Sequence, residues 1–188
     1  MHDAMAAERG TPGNPLFKGA LAAVGGILSG RESAADLRVK LKGYRGDSQV
    51  TKALRGLPGG WRVFHDVNLM DESVDYVVAG PRGVFNIEMS FDAGTVVAGA
   101  RGFYTHGRRN NRPVEEAMRQ ARVLEDKLGL EVQPVLVVVG ADLTGREVDG
   151  LPVVPLEELN GFLLIDDGRR LTWDQAKRVL DTLEVMTR

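Results

Sequence analysis

Val74-Asp75-Tyr76-Val77-Val78-Ala79, then Gly80-Pro81-Arg82-Gly83, then Val84-Phe85-Asn86-Ile87-Glu88-Met89-Ser90-Phe91: residues 74–91 decide the fold. Two runs rich in β-branched and aromatic residues flank a Gly-Pro-x-Gly turn, which reads as one β-hairpin. With Pro81-Arg82 as a two-residue loop, Gly80 faces Gly83, and counting back sets Asp75 across from Glu88. Side chains paired in this way share a face, with Cβ atoms roughly 5 Å apart. Two carboxylates that close repel, and a cation between them relieves the repulsion. The pair therefore suits a divalent cation and, through it, phosphate chemistry. On the second strand Asn86, Glu88 and Ser90 share one face. Phe85, Ile87, Met89 and Phe91 share the other, the expected core side against a helix.

Outward from the hairpin the chain alternates elements. Upstream, Asp47 is placed to cap a helix running to about Leu57, whose stripe is Val50, Ala53, Leu54 and Leu57; Pro58-Gly59-Gly60 stops it. Trp61 to Leu69 reads as a strand, with Trp61, Val63, His65, Val67 and Leu69 alternating against Arg62, Phe64, Asp66 and Asn68. Downstream, Gly94–Ala98 and Gly102–His106 form a second hairpin bent at Gly99-Ala100-Arg101. Pro113 opens a helix carrying Glu115 and Glu116 in its first turn, where the helix dipole favours acids; its stripe is Ala117, Ala121, Leu124 and Leu128, and Gly129 ends it. Val135 to Val139 is a continuous β-branched run, expected to be a strand buried on both faces. Val153-Val154 is a short strand and Leu156–Leu164 a short helix. Thr172 with Gln175 makes a capping box for a last helix with the stripe Ala176, Val179, Leu180, Leu183 and Met186. This order predicts a mixed α/β domain, a sheet with helices packed on it.

The expected organisation is an N-terminal arm over 1–42, partly disordered or helical, followed by a domain over 43–188. The chain of 188 residues is long enough for one real core, and its 43% hydrophobic and 27% charged content is ordinary for a globular protein. It contains no cysteine, which excludes disulfides and thiolate metal sites and fits a reducing, cytoplasmic setting. A net charge of -2 means that nucleic-acid binding must come from a local basic surface. Leu16–Leu28 is the one candidate membrane segment, but it holds Lys18 and falls short of the ~20 residues that span a bilayer. It reads as a packed helix or loose arm, with peripheral membrane contact through 15–30 as the alternative.

The segment from Arg101 to Arg122 is the basic surface. It carries Arg101, Arg108, Arg109, Arg112, Arg119 and Arg122 against Glu115 and Glu116, with Phe103 and Tyr104 interleaved. Arginines contact phosphates and aromatics stack on unpaired bases, so this segment is the candidate nucleic-acid surface; a solvated loop is the plain alternative. His65 and His106 have no partner at zinc-ligand spacing. Asp166-Asp167 and Glu157-Glu158 read as solvated acids. No phosphate-binding glycine loop with the required spacing is present.

In order, Gly43-Tyr44-Arg45-Gly46-Asp47, Val74–Val78, Gly83–Ser90 and Gln120 resemble the motifs of the nuclease-related domain (NERD) family, part of the restriction-endonuclease-like, PD-(D/E)xK superfamily. The resemblance spans about 43–140. It implies a restriction-endonuclease-like core in αβββαβ order. It also implies a metal-dependent nuclease acting on phosphodiesters, DNA before RNA, with Mg²⁺ or Mn²⁺. The family pattern has an acid in the first helix, an Asp on the second strand, Glu-x-Lys on the third and a Gln in the next helix. Asp47, Asp75, Glu88 and Gln120 match, with Asp75 and Glu88 implied as metal ligands; Ser90 stands where the family has lysine. From the residues alone, Asp47 reads equally as a helix cap and Gln120 as a structural hydrogen-bonder. Lys42, Lys52, Arg119 and Arg122 are the nearby cations. The rival readings are a catalytically degenerate nucleic-acid-binding module and a structural or partner-binding protein.

Overall fold

The computed structural model describes residues 48–69 and 72–187. The arm over 1–42, its membrane-contact alternative, Lys42 and Asp47 lie outside the described residues. The described chain opens in helix over 48–54 (α1). It continues through β1 (Arg62–Asn68), β2 (Ser73–Gly80), β3 (Gly83–Gly99), β4 (Gly102–Thr105) and β5 (Arg108–Arg109). Then follow α2 (Arg112–Leu128), β6 (Val132–Thr144), β7 (Glu147–Val148) and β8 (Leu151–Pro155). A 3₁₀ turn (Leu156–Glu158), α3 (Leu159–Leu164) and α4 (Trp173–Met186) end it.

The strands form one mixed sheet in the order β1-β2-β3-β6-β8-β7, with β4 and β5 extending β3 on a side branch. β1, β2 and β3 are antiparallel neighbours. β6 lies parallel to β3, with α2 as the crossover between them. A parallel pair needs such a crossover, and the crossover helix must lie on one face of the sheet. β3 is thus central and covered on both sides. On one face Tyr76, Val78, Phe85 and Ile87 pack with Val50 and Leu54 of α1 and with Leu159 and Leu163 of α3. On the other, Val77, Ala79 and Val84 pack with Ala121 and Leu124 of α2 and Val179 and Leu183 of α4. Phe103, Val114, Ala117, Leu136 and Val138 extend that second face. The apolar face of the hairpin is a core side, as expected, but the polar face is covered too: Asn86 and Ser90 are buried. A one-residue slip of β3 would turn Glu88 into the apolar cluster under α1. Burying a carboxylate there costs several kcal/mol or forces its protonation, so the polar residues fix the register.

Several local readings hold. Gly129 closes α2 in the left-handed conformation, with φ 66. Thr172 and Gln175 form the expected capping box on α4. Val135 to Val139 is buried throughout, within a strand longer than expected. β1 differs. Its buried residues are Phe64 and Val67, three apart, not an alternating set. Asp66 between them takes φ 50, and this left-handed residue breaks the two-residue period. Asp167 differs as well. It is an ion-pair partner of Arg82, at 2.7 Å, and not a free surface acid.

Candidate active site

The hairpin between β2 and β3 has the register counted from the sequence: Gly80 pairs with Gly83, Ala79 with Val84, Val78 with Phe85 and Tyr76 with Ile87. The paired residues end there, and just beyond them the charge of Asp75 acts on Glu88. The turn is held from outside the hairpin. A Cβ on Gly80 would fall 2.2 Å from the Trp61 ring, so only glycine lets the indole lie flat on the turn. Arg82, 9% exposed, donates from Nη1 to the carbonyls of Phe162 (3.1 Å) and Leu163 (2.6 Å) at the end of α3. Its guanidinium also pairs with Asp167 and lies over the Phe85 ring. Hydrogen bonds from the guanidiniums of Arg169 and, next, Arg82 hold the Asp167 carboxyl far below the usual carboxylate range.

At the other end of the hairpin stands Glu88, half-buried beside α2. Its carboxyl is pushed up from 4.5 to about 8. Burial is the largest cause, followed by the charges of Asp75 and Glu116 and, more weakly, Glu72; a hydrogen bond from Gln120 opposes them. Asp75 is exposed and Gln120 buried. Asp75 and Gln120 thus both act on Glu88, and so do the charges of two further acids, Glu116 and Glu72. Glu116 had been read as a dipole-favoured acid of the first helical turn, but it faces Glu88. The signal was its spacing: Arg112, Glu116 and Gln120 recur every four residues and share one face of α2. Glu72 precedes β2 and carries no such signal.

Each of these outer acids holds an arginine of α2. Arg112 donates from Nε to Glu116 at 2.9 Å, and Arg119 pairs with Glu72. Both guanidiniums are made harder to deprotonate, first by those partners and, to a lesser degree, by Glu88. Lys52, by contrast, is an exposed residue of α1, the helix packed on the other face. Ser90 is buried, and its hydroxyl donates to Asp92 at 2.6 Å.

Among the described residues no three His, Asp or Glu side chains gather into a group that could hold a metal. The Asp75–Glu88 pair nonetheless fits a hard cation such as Mg²⁺. Mg²⁺ takes one or two carboxylates and completes its shell with water and substrate oxygens. Burial, before any neighbouring charge, raises the Glu88 carboxyl, so a cation bound there would have to displace its proton.

The arginine segment forms a ribbon that extends the far end of β3. Gly99 pairs with Gly102, setting Arg101 in the turn, while Thr105 pairs with Arg108 and Tyr104 with Arg109. Arg101, Arg108, Arg109, Arg112 and Arg119 are all exposed. The stacking role expected of Phe103 is not met: the ring is fully buried in the core with Val114 and Ala117, because its strand extends the central sheet. Tyr104 is half-buried and donates its hydroxyl to the Arg101 carbonyl at 3.1 Å. His65 packs edge-on against Tyr76, 4.6 Å between centroids.

An antiparallel three-stranded start, a crossover helix and a parallel fourth strand, meeting at Glu88, define a restriction-endonuclease-like α/β core. The model of the nuclease-related domain matches residues 42–139, more than half of the chain, and the chain belongs to that family. No curated protein and no solved structure matches it.

Proposed function

We propose that this domain binds nucleic acid, DNA before RNA, and hydrolyses phosphodiester bonds with Mg²⁺ or Mn²⁺ at Asp75 and Glu88. The observation that carries the reading is the convergence on Glu88 of a facing acid and the Gln120 amide, with two arginine–acid pairs alongside. A bound divalent cation would polarise the phosphate and lower the pKa of a coordinated water. The remaining work falls to the chain. Asp75 and Glu88 supply oxygen ligands, and Gln120 lies close enough to lower the Glu88 pKa and favour its charged form. Arg112 and Arg119 supply the positive charge absent at Ser90, since both sit within the electrostatic field of Glu88. Arg101, Arg108 and Arg109 carry the flanking backbone. Asp47 is assigned an accessory role from the family pattern alone. We place the reaction in the cytoplasm on the cysteine-free sequence; no helix among the described residues is long and apolar enough to cross a membrane.

The test is cleavage of DNA by the purified protein with Mn²⁺, lost on Glu88→Ala. Cleavage that survives this substitution would overturn the site. A binding-only module is the second reading, favoured by one observation: the Ser90 hydroxyl is spent on Asp92 and bears no charge. Salt-sensitive binding without cleavage would support it.

A further inference from the structure

Asn86 lies two residues before Glu88 on the same face of β3 and is fully buried. Its Nδ2 group donates to two acceptors on α2: the Ala117 carbonyl at 3.0 Å and Gln120 Oε1 at 3.3 Å. Its Oδ1 is buried with no hydrogen-bond partner among the described residues. An amide so placed gives up one of its own bonds, which costs stability, and the cost requires a reason.

The reason lies in an order of polarity that starts from the backbone. The Ala117 carbonyl can only accept, and it cannot be turned around. It therefore fixes which end of the Asn86 amide faces α2. With Nδ2 held there, Gln120 must present its oxygen to Asn86. Its nitrogen is then left on the other side, toward Glu88, whose carboxyl Gln120 holds down against the effect of burial. If the Gln120 amide were flipped, two NH₂ groups would face each other, and its oxygen would face the Glu88 carboxylate. Both contacts repel.

We infer that Asn86 is a positioning residue, which sets the Gln120 amide so that its N–H bonds are aimed at Glu88. The inference rests on the reading of Glu88 as a metal ligand, because outer partners of this kind orient a ligand and tune its affinity. Neither Asn86 nor Gln120 touches the reacting atoms in this account; both act through Glu88.

The test uses the full chain labelled with ¹⁵N-glutamine, with the Gln120 side-chain signal identified by its loss in Gln120→Leu. In the unsubstituted protein the Gln120 NH₂ protons exchange slowly and shift on Glu88→Gln. In Asn86→Leu they exchange rapidly and no longer respond to Glu88→Gln. Asn86→Asp keeps the side-chain size but sets an acceptor against Gln120, which turns its NH₂ group toward residue 86, so the response to Glu88→Gln is lost while exchange stays slow; it serves where Asn86→Leu fails to fold. Mn²⁺ affinity falls about 10-fold in Asn86→Leu. That loss vanishes when Gln120 is already leucine, because the effect runs through Gln120. Unchanged exchange at Gln120 in folded Asn86→Leu, a response to Glu88→Gln that persists in either folded variant, or an affinity loss that persists in the Gln120→Leu background, would overturn the inference. If the parent protein binds no Mn²⁺ while the Gln120 signal behaves as described, the metal reading fails and the positioning of Gln120 stands.

Discussion

Replacing Glu88 with glutamine should make the metal-free protein more stable, and by an amount that grows with pH. The Glu88 carboxyl titrates near 8 when folded and near 4.5 when free. Between those values the folded state holds a proton that the unfolded state has released, so folding weakens as pH rises. The full stability is present below 4.5, and the loss is complete above 8. The slope is about 1.4 kcal/mol per pH unit, so the cumulative penalty reaches ~3 kcal/mol at pH 7 and ~5 kcal/mol above pH 8. Glutamine keeps the shape and removes the charge. The gap between Glu88→Gln and the parent should widen by about 3 kcal/mol from pH 5 to pH 8, which moves a urea midpoint by roughly 1.5 M. Taking the difference between the two proteins cancels the titration of acids that do not act on Glu88, Asp167 among them. Saturating Mn²⁺ at pH 8 should close most of the gap, since the ion neutralises what the proton no longer can. A difference in midpoint that stays flat from pH 5 to pH 8 would refute the reasoning, because it would mean that burial and Asp75 do not act on Glu88 as described.

Mn²⁺ binding should expel the Glu88 proton, so affinity should rise up to about tenfold per pH unit from 6 to 8 and then level off; calorimetry in buffers of different ionisation enthalpy counts the proton. Changing Arg101, Arg108 and Arg109 together to alanine should lower the salt slope of DNA binding by up to ~3, measured by titration across salt concentrations, with Mn²⁺ affinity unchanged. Arg82→Ala strands the carbonyls of Phe162 and Leu163 and should cost about 3 kcal/mol in denaturant, while Mn²⁺ affinity stays as it was. Gly80→Ala drives a methyl into the Trp61 ring and should cost about 1–3 kcal/mol by the same measurement.

How much of this could be read from the sequence follows from the range of each interaction. The hairpin register was legible because two glycines and a two-residue loop leave one way to count, and the count reaches from Gly80 to Asp75 without outside help. The crossover helix was legible from Pro113, Gly129 and an apolar stripe. The break in β1 was not, because alternation there is interrupted by the backbone of Asp66 and not by any change in side-chain character. At the site, Asp75, Glu88 and Gln120 came from a family pattern that their local context alone could not separate from surface acids and a structural amide. Glu116 was within reach of a four-residue spacing that went unused. Glu72, Asn86 and the Arg82–Asp167 pair depend on partners between about 30 and 90 positions away, and only the folded chain brings those together. Phe103 shows the opposite failing: an aromatic beside arginines reads as a base-stacking platform until the sheet behind it is seen.

The turn of the hairpin has a wider consequence. Pro81 accepts a backbone bond from Leu171, and Arg82 is clasped by Phe162, Leu163 and Asp167. All of these lie past residue 139, where the family match stops. The segment that marks membership and the segment that keeps the hairpin in place are therefore different lengths of chain. A fragment cut at 139 would keep every motif and lose the clasp, along with β8 beside β6 and the α4 residues that cover β1 and β2. Relatives that share the motifs but differ in the tail must brace the same turn by other means, and their tails are the place to look for how each has done so.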